Sequence, residues 1–467
     1  MTQTILQSNE PTKKIVLVLG NTYEFNTRYN CSLPPENLRI RRENKENFAI
    51  SAEMALFWGG SIDNRVVVLP VQPDPNFVAD VAKYLGATIK CLSPALVTGW
   101  VCRDLLMDND TLDELLQHLM PYEVLVMPWG ATYYYYQVLS FLIEKGIKVI
   151  DSSCPSIESY WAVDYCDSKL GSRSIIEQMR SRFPDFGAPS GYVCHNPTEA
   201  VAIAEILSLE QGQPVILKSD IGSGGKGVKL YDPKHKQSSA YFLASNLLSS
   251  INSDEMWQNV HILVESAIGG GVDLSTPSFD GFIQHDGSIS TMGIENMLTI
   301  ERQCVGVEMG LGVIPVPVYE QIEQLGTAIG EHIVPFGFRG WYDVDFLLSI
   351  SGSELYASEI NARRGGATSP IEIAQRLFGP TWKETCYVRS FERLWLKRRL
   401  NGYHELKFII DAVNDQFDLQ SAGIIPLYSK SGILQKPYIG YVVYGQSRDE
   451  AIAIEAELYA CLPFLNS

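Results

Sequence analysis

Residues 340–366 read GWYDVDFLLSISGSELYASEINARRGG. Two alternating stretches, Gly340–Ile350 and Glu354–Ile360, flank the turn residues Ser351–Ser353, which predicts a hairpin. Side chains alternate between the faces of a strand. Asp343 and Asp345 therefore share one face of the first strand, and Glu359 and Asn361 share one face of the second. Like charges on one face are costly unless a cation answers them. The turn would gather Asp345, Glu359 and Asn361 as hard oxygen donors, a set that suits Mg²⁺. Arg363 follows two residues later and suits a planar oxyanion such as a phosphoryl group. Taken alone, these acids also fit an ordinary solvent-facing edge strand.

Upstream, three more segments carry charge in unusual places. Asp167-Ser168-Lys169-Leu170 opens an amphipathic helix predicted over 169–182. A lysine there opposes the helix macrodipole unless an anion accompanies it. Val215–Lys218 is an apolar strand ending in lysine, and it runs into SDIGSGGKGV, residues 219–228. The loop residues Ser223, Gly224, Gly225, Lys226 and Gly227 would let backbone amides approach anionic oxygens, with Lys218 and Lys226 adding charge. A strand follows this loop and G-x-x-x-x-G-K-[ST] does not match, so it is not a Walker loop. Next, the apolar strand Ile262–Glu265 leads to Ser266-Ala267-Ile268 and then GGGVD, residues 269–273. The backbone there can pair with a base, and a carboxylate beyond it can accept ribose hydroxyls.

In this order and spacing, the segments over residues 165–370 resemble the ATP-grasp enzymes. The resemblance implies the ATP-grasp fold and assigns roles residue by residue. Lys169 and Lys218 would touch ATP phosphates, with residues 222–227 as a lid above them. Glu265 and the backbone of Ala267 and Ile268 would hold adenine. Asp273 would take the ribose, although glutamate is commoner there. Asp345, Glu359 and Asn361 would bind two Mg²⁺ ions, with Mn²⁺ as a substitute. Arg363, Arg339 and Arg302 are candidates to stabilise the oxyanion and the departing phosphate.

The remaining chain sets the context. Strands at Lys14–Gly20, Asn64–Pro70, Glu123–Pro128 and Ile147–Asp151 alternate with helices at Pro75–Leu85, Thr111–Leu119 and Ala131–Lys145, which predicts a parallel α/β layer. No G-x-G-x-x-G follows the first strand, so this layer is not a dinucleotide domain. The expected organisation is α/β and α+β multidomain. It comprises a flexible N-terminus (1–13), an N-terminal α/β pre-ATP-grasp domain (14–155), an ATP-grasp core (156–400, lid about 190–268) and a C-terminal α+β piece (401–467). In the last piece, strands are predicted at Phe408–Ala412, Gly423–Tyr428 and Ile439–Gly445, with a closing helix at Ser447–Cys461.

Composition removes several classes. The 467 residues carry 37 Lys and Arg against 54 Asp and Glu, a formal net charge of −17. Such a chain is repelled by phosphate backbones, which argues against a nucleic-acid partner. The longest apolar runs, Ile15–Leu19 and Val66–Val71, fall far short of the ~20 residues of a membrane helix. Nine scattered cysteines without C-x-x-C exclude a disulfide framework, and the polar Met1–Lys14 segment is no signal peptide, so a cytoplasmic location is expected.

The whole-chain layout further resembles the pre-ATP-grasp peptide ligases of the pheganomycin type. The resemblance rests on Asn21-Thr22, Pro128-Trp129-Gly130 and the tail GYVVYGQSRDEA. It implies an ADP-forming ligase that activates a carboxylate as an acyl phosphate and joins it to an amino-acid or peptide amine, in natural-product biosynthesis; a homodimer is the default assembly. A phosphotransferase and a non-catalytic ATP-binding protein are the alternatives. Tyr133–Tyr136 either line an aromatic substrate or pack their helix.

Overall fold

The computed structural model describes residues 13–28, 49–221, 227–232, 240–268, 275–300, 303–349 and 354–462. The chain divides into two compact units. The first takes Met1–Ser153 with Gly402–His404 and Tyr428–Ser431; the second takes the rest.

The first unit is built on a parallel sheet in the order β3-β2-β1-β4-β5. Its strands are β1 (Lys14–Leu19), β2 (Asn64–Val68), β3 (Thr88–Leu92), β4 (Glu123–Pro128) and β5 (Lys148–Asp151). β1 pairs on both sides and buries every residue after Lys14, as an uninterrupted apolar run requires. The Pro75–Leu85 helix forms over the residues read from the sequence. Asp74 caps it by accepting from the Asn76 amide, Pro75 opens it, and Gly86 ends it at φ 57°. Glu53 anchors the returning segment of this unit by accepting from the Ser429 hydroxyl at 3.0 Å.

The second unit holds two antiparallel sheets. The smaller runs β6-β9-β7-β8, with β6 (Gly191–Cys194), β7 (Val215–Ser219), β8 (Val228–Tyr231) and β9 (Ile262–Ser266). Its apolar face packs Leu217 and Val264 against the helix Pro197–Gln211, with Trp257 in the same buried cluster. The larger sheet runs β14-β13-β10-β11-β12-β15-β17-β16. Its strands are β10 (Pro277–Ile283), β11 (Ile289–Ile300), β12 (Gln303–Gly310), β13 (Gly340–Leu348), β14 (Leu355–Asn361), β15 (Tyr387–Trp395), β16 (Gly423–Pro426) and β17 (Tyr438–Gly445). One face of this sheet is closed by the helix Val316–Ile333. A Cβ on Gly326 or Gly330 would meet the Phe279 ring at 2.3 Å or the Tyr342 hydroxyl at 2.2 Å, so these positions must stay bare for the helix to lie flat.

The tail differs from expectation at one element. Phe408–Ala412 is not a strand but lies within a helix, Tyr403–Asn414. Short apolar runs do not separate strand from helix by themselves. The wider window does: Leu406, Ile410 and Val413 are buried while Phe408 is 76% exposed. Ser447 caps the closing helix, Arg448–Cys461, accepting from the Glu450 amide at 3.2 Å. β16 and β17 extend the large sheet through β15.

Candidate active site

The hairpin of β13 and β14 sets the site. Asp345 pairs in register with Glu359, and Asp343 with Asn361. A register shift follows Asp345, and a second follows Asp280 on β10 against β11. Bulges of this kind re-aim side chains beside sites. β10 lies next to β13, with Asp280 opposite Asp343 and Ser278 opposite Asp345; Glu295 of β11 is then opposite Ser278. A single face thus presents Glu359, Asn361, Asp343, Asp345, Asp280 and Glu295.

Hydrogen bonds lock this face. The Asn361 amide nitrogen donates to Asp343 Oδ1 at 2.6 Å and to Asp345 Oδ2 at 3.4 Å. Arg363 Nη2 donates to the Asn361 carbonyl oxygen at 2.9 Å, and its Nε lies 3.8 Å from Asp167. Asp167 in turn accepts from the Ala362 amide at 3.0 Å, which fixes the chain as it leaves β14. Gly365 is held tight above the acids. A Cβ there would stand 2.9 Å from Asp343 Oδ2.

Burial dominates the electrostatics. It pushes the Asp280 carboxyl up to about 6 and, with Glu359 nearby, the Asp345 carboxyl to about 6. The Glu295 and Asp343 carboxyls are raised well above the carboxylate range by burial and by their acidic neighbours. Glu392 is raised by burial as well, with Arg363 and Arg393 opposing.

Besides Arg363, cations arrive from two segments. Lys169 is buried and pairs with Glu359. Ser168 caps its helix by accepting from the Gly171 amide at 2.9 Å. Asp220 Oδ1 accepts from the Leu170 amide at 2.8 Å, tying the helix start to the end of β7. An anion therefore accompanies the lysine at the helix start, which offsets the macrodipole. Lys218 at the end of β7 lies 2.7 Å from Glu265 Oε2 and donates to Ser358 Oγ at 3.0 Å. Glu265 Oε1 takes Arg173 Nη1 at 2.8 Å. Arg173 was not among the sequence candidates. Its signal was its place one turn beyond Lys169 on the same helix face.

The structure brings Lys169, Lys218, Glu265, Asp345, Glu359, Asn361 and Arg363 into one connected set. Gly227 closes its loop at φ +77°, where its carbonyl accepts from the Ser219 amide. The Ala267 amide is already used by the Pro214 carbonyl at 3.0 Å, and Ile268 follows it at the end of the described segment. Arg339 does not join the set. Its guanidinium donates to the carbonyls of His285, Val334 and Phe338, and six residue steps of extended chain, about 20 Å, separate it from Asp345. Ser223, Gly224, Gly225, Lys226, Asp273 and Arg302 lie outside the described residues. Asp280 and Glu295 were also missed. They belong to no motif, and only the strand order places them beside Asp343.

No protein-family model matches the chain, and no curated protein does. Solved structures do. The biotin carboxylase domain of 2-oxoglutarate carboxylase from Hydrogenobacter thermophilus is 14% identical, covering 98% of this chain and 91% of its own, at TM-score 0.54. The N5-carboxyaminoimidazole synthase of Aspergillus clavatus is 12% identical, covering 96% and 98%, at TM-score 0.51. The fold is the ATP-grasp fold. An L-amino acid ligase from Bacillus licheniformis shares it at 13% identity, covering 98% and 100%, at TM-score 0.50. Identities this low establish architecture alone. Among the described residues, no helix is long and apolar enough to cross a membrane.

Proposed function

We propose that this chain is an ATP-dependent, ADP-forming ligase that joins a carboxylate to an amine. One observation carries the reading. Two lysines from separate segments, Lys169 and Lys218, are held against a face bearing Asp345, Glu359 and Asn361. The donor set fits Mg²⁺, being hard oxygens with too few protein ligands to complete a shell without phosphate oxygens. The Lys169–Glu359 ion pair supports a cation-accepting role for this carboxylate. When bound, Mg-ATP supplies the phosphoryl group that turns a carboxylate into an acyl phosphate.

The chain's own part is positional. Lys218, fixed by Glu265 and Ser358, and Lys169 offer ammonium groups to phosphate oxygens. Arg363, fixed by Asn361 and the Arg364 carbonyl, offers a planar donor pair to the oxyanion. Support also comes from the structural neighbours. The carboxylase domain was crystallised with MgADP, ADP and bicarbonate, the synthase with ADP and 5-aminoimidazole ribonucleotide, and a third neighbour is an amino-acid ligase. The amine is read as an amino acid or peptide, in specialised peptide biosynthesis, on the pre-ATP-grasp resemblance. The residue roles, the domain boundaries and a cytoplasmic homodimer belong to the same proposal.

The test is ADP and phosphate release from Mg-ATP against amino acids and short peptides, singly and in pairs, with mass spectrometry of the products. A condensed product with stoichiometric phosphate is expected, and Glu359→Gln should lower turnover at least 100-fold. A phosphorylated compound without free phosphate would make the protein a kinase instead.

A further inference from the structure

Glu392 is an acid that none of the motifs uses. It lies on β15, and the sheet registers carry it to the face of the metal-binding acids. Asp345, Ser278, Glu295, Met309 and Val388 stand opposite one another in turn across β13, β10, β11, β12 and β15. Alternation from Val388 puts Ser390 and Glu392 on that face. The β15–β17 register then shifts between Phe391 and Leu394, so Glu392 and Arg393 together oppose Gly440. Such a bulge re-aims the side chains it carries.

The chain leaving β14 passes over this position. A Cβ on Gly366 would stand 2.5 Å from Glu392 Oε1, whereas Glu392 Oε2 lies beyond 4 Å from the same point. The Glu392 side chain is half-buried rather than sealed. Among the described residues no hydrogen bond reaches its carboxyl; burial raises it, and the charges of Arg393 and Arg363 oppose the rise. Arg393 lies over the Tyr438 ring at 5.7 Å, and Arg363 donates to Asn361 and to the Arg364 carbonyl. Arg363 also acts on Asp343 and Asp345, so one guanidinium serves both the metal-side acids and Glu392. An ionised carboxylate accepts hydrogen bonds and donates none. Of a ligase's two substrates, the carboxylate is repelled by such a group. The amine arrives as an ammonium with N–H donors, and it must lose a proton before its lone pair can attack.

We propose that Glu392 receives the amine substrate, pairing with its ammonium and taking the proton that frees the nitrogen for attack. This rests on the ligase reading and deepens it. The ammonium passes one proton to Glu392. The nitrogen lone pair forms the C–N bond at the acyl carbon, and the C–O bond to phosphate breaks with its electron pair on the phosphate. The second nitrogen proton leaves with the phosphate, and Glu392 returns its own to water.

Hydroxylamine separates activation from amine capture. It is uncharged at neutral pH and traps an acyl phosphate as a hydroxamate without a base. The full-length protein is given Mg-ATP with amino acids and short peptides, in pairs and singly with hydroxylamine, and products are followed by mass spectrometry. With the condensing pair so found, Glu392→Gln should lower kcat/KM for the amine about 100-fold or more, the scale of a lost general base. Hydroxamate formation should stay within about threefold of wild type, a split that loss of folded protein does not produce. Gly366→Ala, whose Cβ pushes the carboxyl aside, should show the same split with at least a tenfold loss on the amine side. Parallel loss of amide and hydroxamate in both variants, an amide rate unchanged in Glu392→Gln, or hydroxamate formed with no amine accepted would overturn the assignment and leave carboxylate activation standing. Neither product from any member of the panel would remove the ligase reading, and the role of Glu392 with it.

Discussion

Lys218 and Glu265 are both buried, at 8% and 2% exposure, and each holds the other in place. Lys218→Ala therefore does two things. It removes a cation from the proposed phosphate site, and it leaves Glu265 with Arg173 as its partner at 2.8 Å. Breaking a buried pair from one side costs about 3–5 kcal/mol, and the remaining arginine should hold the cost to the lower end of that range. Mg-ATP affinity should fall at least tenfold, about 1.4 kcal/mol. The double variant Lys218→Ala/Glu265→Gln reads the stability effect, and the single Lys218→Ala reads the phosphate effect, because Glu265 is itself assigned to adenine. Thermal melting should recover toward wild type while calorimetry still reads weak Mg-ATP binding. An Mg-ATP dissociation constant unchanged in Lys218→Ala would take this lysine out of the nucleotide site.

At the scale of elements, the helix Tyr403–Asn414 offers a sharp discrimination. In a strand, positions 408 and 410 share a face; in a helix they do not. Phe408 is 76% exposed and Ile410 is 1% exposed, so the two substitutions should part company. Ile410→Ala should cost about 2–5 kcal/mol, and Phe408→Ser should stay within about 0.5 kcal/mol. Comparable losses at both positions in denaturant melts would restore the strand. The misreading arose from a five-residue window, FIIDA, whose apolar content fits either period. The hairpin of β13 and β14 was legible because alternation, turn residues and paired acids agreed over more than twenty positions. β12 and β15 were not. QCVGVEMG alternates weakly, and YVRSFERLW carries charge through its length because β15 pairs Arg389 with the buried Glu455 on the sheet's other face. A partner supplied by a distant helix leaves no local trace.

For the whole molecule, the motif-bearing half of the site could be read from order along the chain, because each motif needs its own local geometry. The place of Asp280 and Glu295 depends instead on which strands become neighbours, and β10 beside β13 is a fact of topology. The same limit hides two buried acids of the first unit. Glu24 and Glu53 look like ordinary surface residues in sequence, yet burial pushes each carboxyl up to about 7. Glu24 accepts from the Thr132 hydroxyl and the Cys102 amide, and Glu53 from Ser429, but these bonds do not offset the desolvation. The folded carboxyls therefore hold protons that the unfolded ones release near 4.5. Their contribution to stability is fully present below pH 4.5 and is lost as pH rises through 7, with roughly 3 kcal/mol per residue as the upper bound. Glu24→Gln and Glu53→Gln cannot ionise, so each should flatten the slope of stability between pH 5 and 7.5. Hydrogen exchange at the β1 and β4 amides, corrected for intrinsic rates, reads this unit directly. Wild type should lose protection across that window, and the double variant should lose far less. A double variant as steep as wild type would mean that both glutamates ionise freely in the folded unit.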